Sequence, residues 1–174
     1  LHVAVTGRSS SEDPNGQNTP KRGPIAMEYR KMFVAPAGKF LLEADLSQAE
    51  LRIAADMAND PVMLEIYRTK GDIHTATALI VMSVTMETFK KLPKQEQKDA
   101  RTKAKAVNFG FLYGMSWRKF IAYAKTQYGV EFSEREAQRI RTAFFEKYPM
   151  LSKWHATMRA FAKLLCLLGI LSPV

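Results

Sequence analysis

Arg101, Lys105, Phe109 and Tyr113 stand four residues apart in the stretch Arg101–Gly114. On an α-helix of about 3.6 residues per turn that spacing gathers two cations and two rings on one broad face. Such a face can grip a polyphosphate at one end and stack a base at the other. The same spacing also fits an amphipathic helix whose Arg and Lys lay their stems over a half-buried aromatic stripe. Spacing alone leaves both readings open. Asp45 ends an apolar run just before a helix, where a carboxylate on rigid backbone suits a divalent cation or simply meets solvent. Asn15, Gln17 and Asn18, with Arg8, Lys21 and Arg22 around them, carry amides for base edges and cations for phosphates, or belong to a flexible linker. His74 is a lone histidine, a residue type that is more often structural than catalytic.

The elements that would position these residues follow from pattern and punctuation. Residues 1–7 read as a short strand and 8–24 as a loop crowded with Pro, Gly, Asn and Ser. Residues 31–36 and 39–45 read as two strands of a hairpin with an apolar face. Ser47 and Glu50 have the spacing of a capping box opening a helix that runs toward Asn59. Pro61 starts a short helix closed by Gly71, and Asp72 is a fitting N-cap for the next. The cation-rich run Lys90–Lys105 leads into the helix carrying the four spaced residues. A break at Gly114–Trp117 precedes a helix to Tyr128, which Gly129 closes. Ser133 and Glu136 form a second capping box, and a last helix runs from Leu151 to about Leu168.

The 174 residues can bury a core of ordinary domain size. Twenty-six Lys and Arg against seventeen Asp and Glu give a formal charge of +9, which favours polyanionic partners. Cys166 is the single cysteine, so an intrachain disulfide and a Cys/His metal cluster are excluded, and a reducing compartment is expected. The apolar run Leu164–Val174 is shorter than the ~20 residues of a membrane span. An anionic membrane surface would attract the same charge, but a nucleic-acid partner is the expectation. The opening Leu-His-Val has the look of a chain entered in mid-sequence.

Taken in order, the motifs resemble those of family A DNA polymerases. Ala44–Arg52 resembles the first palm motif, Arg101–Gly114 the fingers motif, Asp72–Thr75 a short signature between them, and Thr6–Arg8 with Asp13–Arg22 the loop preceding the palm hairpin. The resemblance implies an α+β, mainly helical chain. Residues 1–70 would be the first part of the palm, 71–163 the fingers, and 164–174 an aberrant or truncated tail. The implied reaction is template-directed transfer of dNTPs to a primer 3′-hydroxyl on primer-template DNA, with two Mg²⁺ ions, in the cytoplasm of a bacterial or phage-infected cell. By resemblance Asp45 binds metal together with the Leu46 carbonyl, and Glu50 lies against the sugar with Gln48 in the same turn. Arg101, Lys105 and His74 grip the triphosphate, Lys105 also serving as proton donor to pyrophosphate. Phe109 and Tyr113 pack on the nucleotide and the templating pair, and Arg8, Asn15, Gln17, Asn18 and Arg22 contact primer and template.

Three departures from the family pattern follow. Leu46 stands where a Tyr is frequent, with little chemical loss expected for a carbonyl ligand. Phe109 lacks the ring hydroxyl that favours dideoxynucleotides. A later His-Asp-Glu motif with the second metal-binding aspartate is absent: His2, His74 and His155 are followed by Val, Thr and Ala. The chain alone is therefore expected not to extend a primer. Beyond Lys163 the sequence leaves the family pattern, as a truncation, a shifted frame, an intein beginning at Cys166 or a natural split completed by a complementary C-terminal fragment would each produce. The alternative function is DNA or nucleotide binding without catalysis.

Overall fold

The computed structural model describes residues 2–3, 9–17, 19 and 24–170. The chain divides into two compact units, residues 1–45 and 46–174. In the first, β1 (His2–Val3) pairs antiparallel with β2 (Ser9–Ser10), His2 opposite Ser10. A helix follows, α1 (Pro24–Lys31), with Pro at its first position and Arg30 and Lys31 in its last turn. Both placements suit a helix: proline there forfeits no hydrogen bond, and cations complement the carbonyl end.

The hairpin expected over 31–36 and 39–45 is not formed. Residue 31 closes α1, and residues 33–46 are irregular apart from a turn at Ala37–Gly38, where Lys39 N–H donates to the Pro36 carbonyl. Its apolar residues are exposed, Phe40 at 96% and Leu42 at 93%. A lone two-stranded ribbon gains too little to hold itself without a surface to cover. Of the residues expected in the hairpin, only Lys31 takes a regular conformation, as the last residue of α1.

The second unit is helical: α2 (Ala49–Ala58), α3 (Pro61–Arg68), α4 (Ile73–Met82), α5 (Met86–Lys91), α6 (Lys94–Leu112), α7 (Trp117–Tyr128), α8 (Glu134–Lys147) and α9 (Pro149–Leu167). Its core centres on Phe111, whose ring lies 4.6 Å from Phe120 and 5.5 Å from Phe144. All three are essentially unexposed. Tilted aromatic pairs at this separation add favourable quadrupole contacts to the burial itself. α6 is the hub, packed against α4, α7 and α8. Gly110 permits the α6–α7 approach, since a Cβ there would meet Phe120 Cδ2 at 2.8 Å.

Helix ends are secured by specific groups. Asp60, fully buried, accepts at Oδ1 from the Val62 and Met63 N–H groups of α3 and at Oδ2 from Met150 N–H at the start of α9. One carboxylate thus serves two positive helix ends. Arg139 donates to the Ile80 and Val81 carbonyls and the Ser83 hydroxyl, closing α4. The Ser133–Glu136 capping box forms as expected, and Gly129 ends α7 in the left-handed region. The box expected at Ser47–Glu50 does not form. The N-cap is Gln48, in the left-handed region and without a side-chain cap bond, and Glu50 falls within the first turn. The Gln48 amide is drawn instead to Asp72, while the Ser47 carbonyl accepts from Arg52 Nε.

Candidate functional site

α6 turns Ala104, Val107, Asn108 and Phe111 into the core, which fixes the opposite face outward. Arg101 and Phe109 lie half-buried on that face and Lys105 is exposed. Tyr113 sits one residue past the helix and is 59% exposed. The four spaced residues therefore line the outer side of a helix whose inner side holds the core. Amphipathicity is real and is carried by the other residues.

Asp72 organises the near side of this face. It caps α4 through the His74 and Thr75 N–H groups and accepts from the Thr75 hydroxyl at 2.6 Å. Arg101 donates to Asp72 Oδ2 through Nε at 2.9 Å and Nη2 at 2.7 Å, and Gln48 Nε2 donates to Oδ1 at 3.1 Å. Burial alone would raise the Asp72 carboxyl; the bonds from Thr75 and Arg101 and the guanidinium charge outweigh it, leaving the group at about 2. Arg101 is thereby pre-oriented, with Nη1 unpartnered among the described residues. Lys105 makes no hydrogen bond or ion pair among them either, so its charge faces solvent.

His74 lies in the first turn of α4 and is 5% exposed. Its ring is 6.2 Å from that of Phe109, and its Nδ1 is 2.9 Å from Asn108 Nδ2. Burial pushes the imidazole down; Asp72 opposes this, while Lys105 and Arg101 reinforce it, and the group settles at about 4. At neutral pH it is an uncharged ring beside two cations.

Glu50 and Tyr113 line a second feature, a largely apolar cleft of about 210 Å³ walled by Ile53, Met57 and Trp154. Neighbouring His155 donates Nε2–H to the Leu112 carbonyl at 2.8 Å, tying α9 to the end of α6. The structure thus brings Gln48, His74 and Arg101 onto Asp72, sets Phe109 beside the His74 ring, and brings Glu50 together with Tyr113. Asp72, Asn108 and Trp154 were not among the expected site residues. Asp72 announced a helix cap and the start of the short signature Asp72–Thr75, with no site role of its own, and Trp154 announced only a place in the last helix. For Asn108 a signal existed, a polar side chain on the inward face of a helix.

Asp45 is exposed at the end of an irregular segment, and Leu46 is 80% exposed. Among the described residues no three His, Cys, Asp or Glu side chains gather as a metal site. The residues present therefore do not fit a pair of divalent ions. Gln17 is exposed, its N–H donating to Asn15 Oδ1 and its amide to the Ser9 hydroxyl. Arg8, Asn18 and Arg22 lie outside the described residues. Among the described residues no helix is long and apolar enough to cross a membrane.

The family model for DNA polymerase family A matches residues 1–167. Over 160 residues, 92% of the chain, the sequence is 44% identical to DNA polymerase I of Pseudomonas aeruginosa, covering 16% of that protein. Over 152 residues, 87% of the chain, it is 41% identical to DNA polymerase I of Aquifex aeolicus, covering 24% of it. Among solved structures it is similar to the POL domain of Pol1 from M. smegmatis, in complex with DNA primer-template and dNTP. The TM-score there is 0.70 at 27% identity, over 92% of this chain and 26% of that one. The chain thus spans roughly a quarter or less of the length of these two curated relatives.

Proposed function

The chain belongs to DNA polymerase family A, and on that premise we propose that it supplies the incoming-nucleotide site of a template-directed DNA polymerase. The observation that carries this reading is the outward face of α6, where, among the described residues, Lys105 is unpaired and Arg101 is braced by Asp72 with one guanidinium nitrogen to spare. Arg101 and Lys105 neutralise a triphosphate, which a fixed fork and a mobile point charge do in complementary ways. His74 donates a hydrogen bond beside them, and Lys105 is the nearest acid for the departing pyrophosphate. Phe109 offers its face to the nucleotide. The cleft shared by Glu50 and Tyr113 takes the sugar and the templating pair, with Gln48 holding the turn before α2. In this reading residues 1–70 are the first part of a palm and 71–163 the fingers; Asn15 and Gln17, with Arg8, Asn18 and Arg22, contact primer and template.

Asp45 and the Leu46 carbonyl are this chain's contribution to a Mg²⁺ site. Because the residues present do not fit two ions, the chain's own share of the reaction is to bind and orient the nucleotide. Purified chain, free of other polymerase, is expected not to extend a primer, and mixing it with a complementary C-terminal palm fragment is expected to restore Mg²⁺-dependent extension. Extension by the chain alone would overturn the first expectation. Salt-sensitive DNA binding with no extension in the mixture would favour the second reading, a binding module without catalysis. In a complemented enzyme Phe109→Tyr is expected to raise dideoxynucleotide incorporation relative to dNTP; an unchanged ratio in primer extension would remove Phe109 from the sugar.

A further inference from the structure

Behind the outward face runs a line of buried polar side chains linking α4, α6 and the junction of α8 and α9. Thr77 Oγ1 donates to Asn108 Oδ1 at 2.8 Å, Thr77 Oγ1 lies 3.4 Å from Tyr148 OH, and Asn108 Nδ2 lies 2.9 Å from His74 Nδ1. Thr77, Asn108 and Tyr148 are fully buried. Tyr148 OH has no other partner among the described residues. Its proton can go only to Thr77, so the Thr77 proton goes to Asn108 Oδ1 and the Asn108 amide N–H to His74. Turning the Asn108 amide over would reverse every donor in the line and strand the buried tyrosine proton. The direction of the line is therefore set, and it ends on a ring nitrogen that must accept.

We propose that Tyr148, Thr77 and Asn108 are positioning residues that hold His74 in the neutral tautomer with its proton on Nε2. His74 then presents a hydrogen-bond donor, not a third positive charge, beside Arg101 and Lys105. Nε2 has no partner among the described residues. The charged groups acting on the ring are Asp72 before it on the same helix and Lys105 and Arg101 from α6. Two cations close by disfavour an imidazolium, and burial disfavours it further. A donor that does not titrate near neutrality keeps its bond to a phosphate oxygen over the range in which an ordinary histidine would change charge. This use of the donor rests on the triphosphate reading above; the tautomer does not.

The full chain labelled with ¹⁵N-histidine tests the proposal by long-range ¹H–¹⁵N correlation, the His74 signals being assigned by their loss in His74→Gln. The expected pattern at pH 7 is a neutral ring protonated at Nε2. Thr77→Val cuts the line and is expected to give mixed tautomers, and Thr77→Ser to restore the single form. A ring protonated at Nδ1 or doubly protonated at pH 7 in the unsubstituted chain would overturn the proposal, and that spectrum decides even if Thr77→Val fails to fold. An unchanged tautomer in folded Thr77→Val would overturn the role of Thr77. Adding dATP separates the two readings. A shift at Nε2, with binding about fivefold weaker in Thr77→Val than in Thr77→Ser, supports both, whereas the expected tautomer with no dATP binding supports the positioning line and sinks the triphosphate reading.

Discussion

Residues 33–46 and the helices that follow them use the same apolar residue types to opposite ends. Val34, Phe40 and Leu42 are 76%, 96% and 93% exposed, while Phe111 and Phe120 are wholly buried. The difference lies in what each backbone needs. A helix satisfies its own N–H and C=O groups and then offers one face for packing; a strand must first find a neighbour. Apolar alternation without one leaves both backbone and side chains in water. Phe111→Ala is accordingly expected to cost about 3–5 kcal/mol in urea unfolding, the range for emptying an aromatic core site. Phe40→Ser is expected to stay within about 0.5 kcal/mol, as exposed substitutions do. Equal losses at the two sites would erase the distinction between them.

Charge separates the regions in the same way. The Glu28–Lys31 pair of α1 is mostly exposed on both sides, so it is screened and adds little. His74 is buried and Asp72 is half-buried in a bonded cluster, and these make stability depend on pH. The imidazole titrates at about 4 when folded against 6.5 ordinarily. Between those values the unfolded chain binds a proton that the folded chain refuses, so stability falls as pH drops through the window. The full effect is on the order of 3 kcal/mol. Asp72, lowered from 3.8 to about 2, contributes stability above its unfolded value that is lost as pH falls from about 4 to 2. Solvent at its partly exposed carboxylate keeps that part smaller. Urea midpoints taken from pH 7 to pH 4 should fall, and His74→Gln should flatten the curve. A curve as steep in His74→Gln would move the dependence elsewhere.

Local punctuation was legible wherever the chain itself settles the outcome. The helix from Trp117 to Tyr128 with Gly129 behind it, the cap at Asp72, the start at Pro61 and the box at Ser133 all stand where propensity and capping chemistry put them. Gln48, His74 and Arg101 meet at Asp72 with Phe109 beside His74; of these, Arg101 and Phe109 share a helix face, which spacing can reveal. The hidden features depend on contacts between distant residues. Thr77 and Asn108 are thirty-one residues apart, and nothing local in either marks the other. Pro61 shows the start of α3, but nothing local shows that the buried Asp60 before it caps α3 and accepts from Met150 as well. α1 was obscured by the loop-like residues before it and the strand-like residues after it.

The two capping boxes read from sequence give the finest version of the comparison. Ser133 accepts from Glu136 N–H, and the Glu136 carboxylate accepts from Ser133 N–H at 2.9 Å and from its hydroxyl at 2.6 Å. These bonds from Ser133 hold the Glu136 carboxyl below its ordinary value. Ser133→Ala removes the cap and is expected to cost about 1 kcal/mol. Ser47 has the same partner spacing, but the helix begins one residue later, on Gln48, whose side chain is committed to Asp72. Ser47→Ala is expected to change stability by only a few tenths of a kcal/mol, because no side-chain cap is lost. Equal costs would mean that Ser47 caps α2 after all. If Ser47→Ala is silent and Gln48→Ala is not, the local signal at 47–50 has been overruled by the bond that joins α2 to the Asp72 cluster.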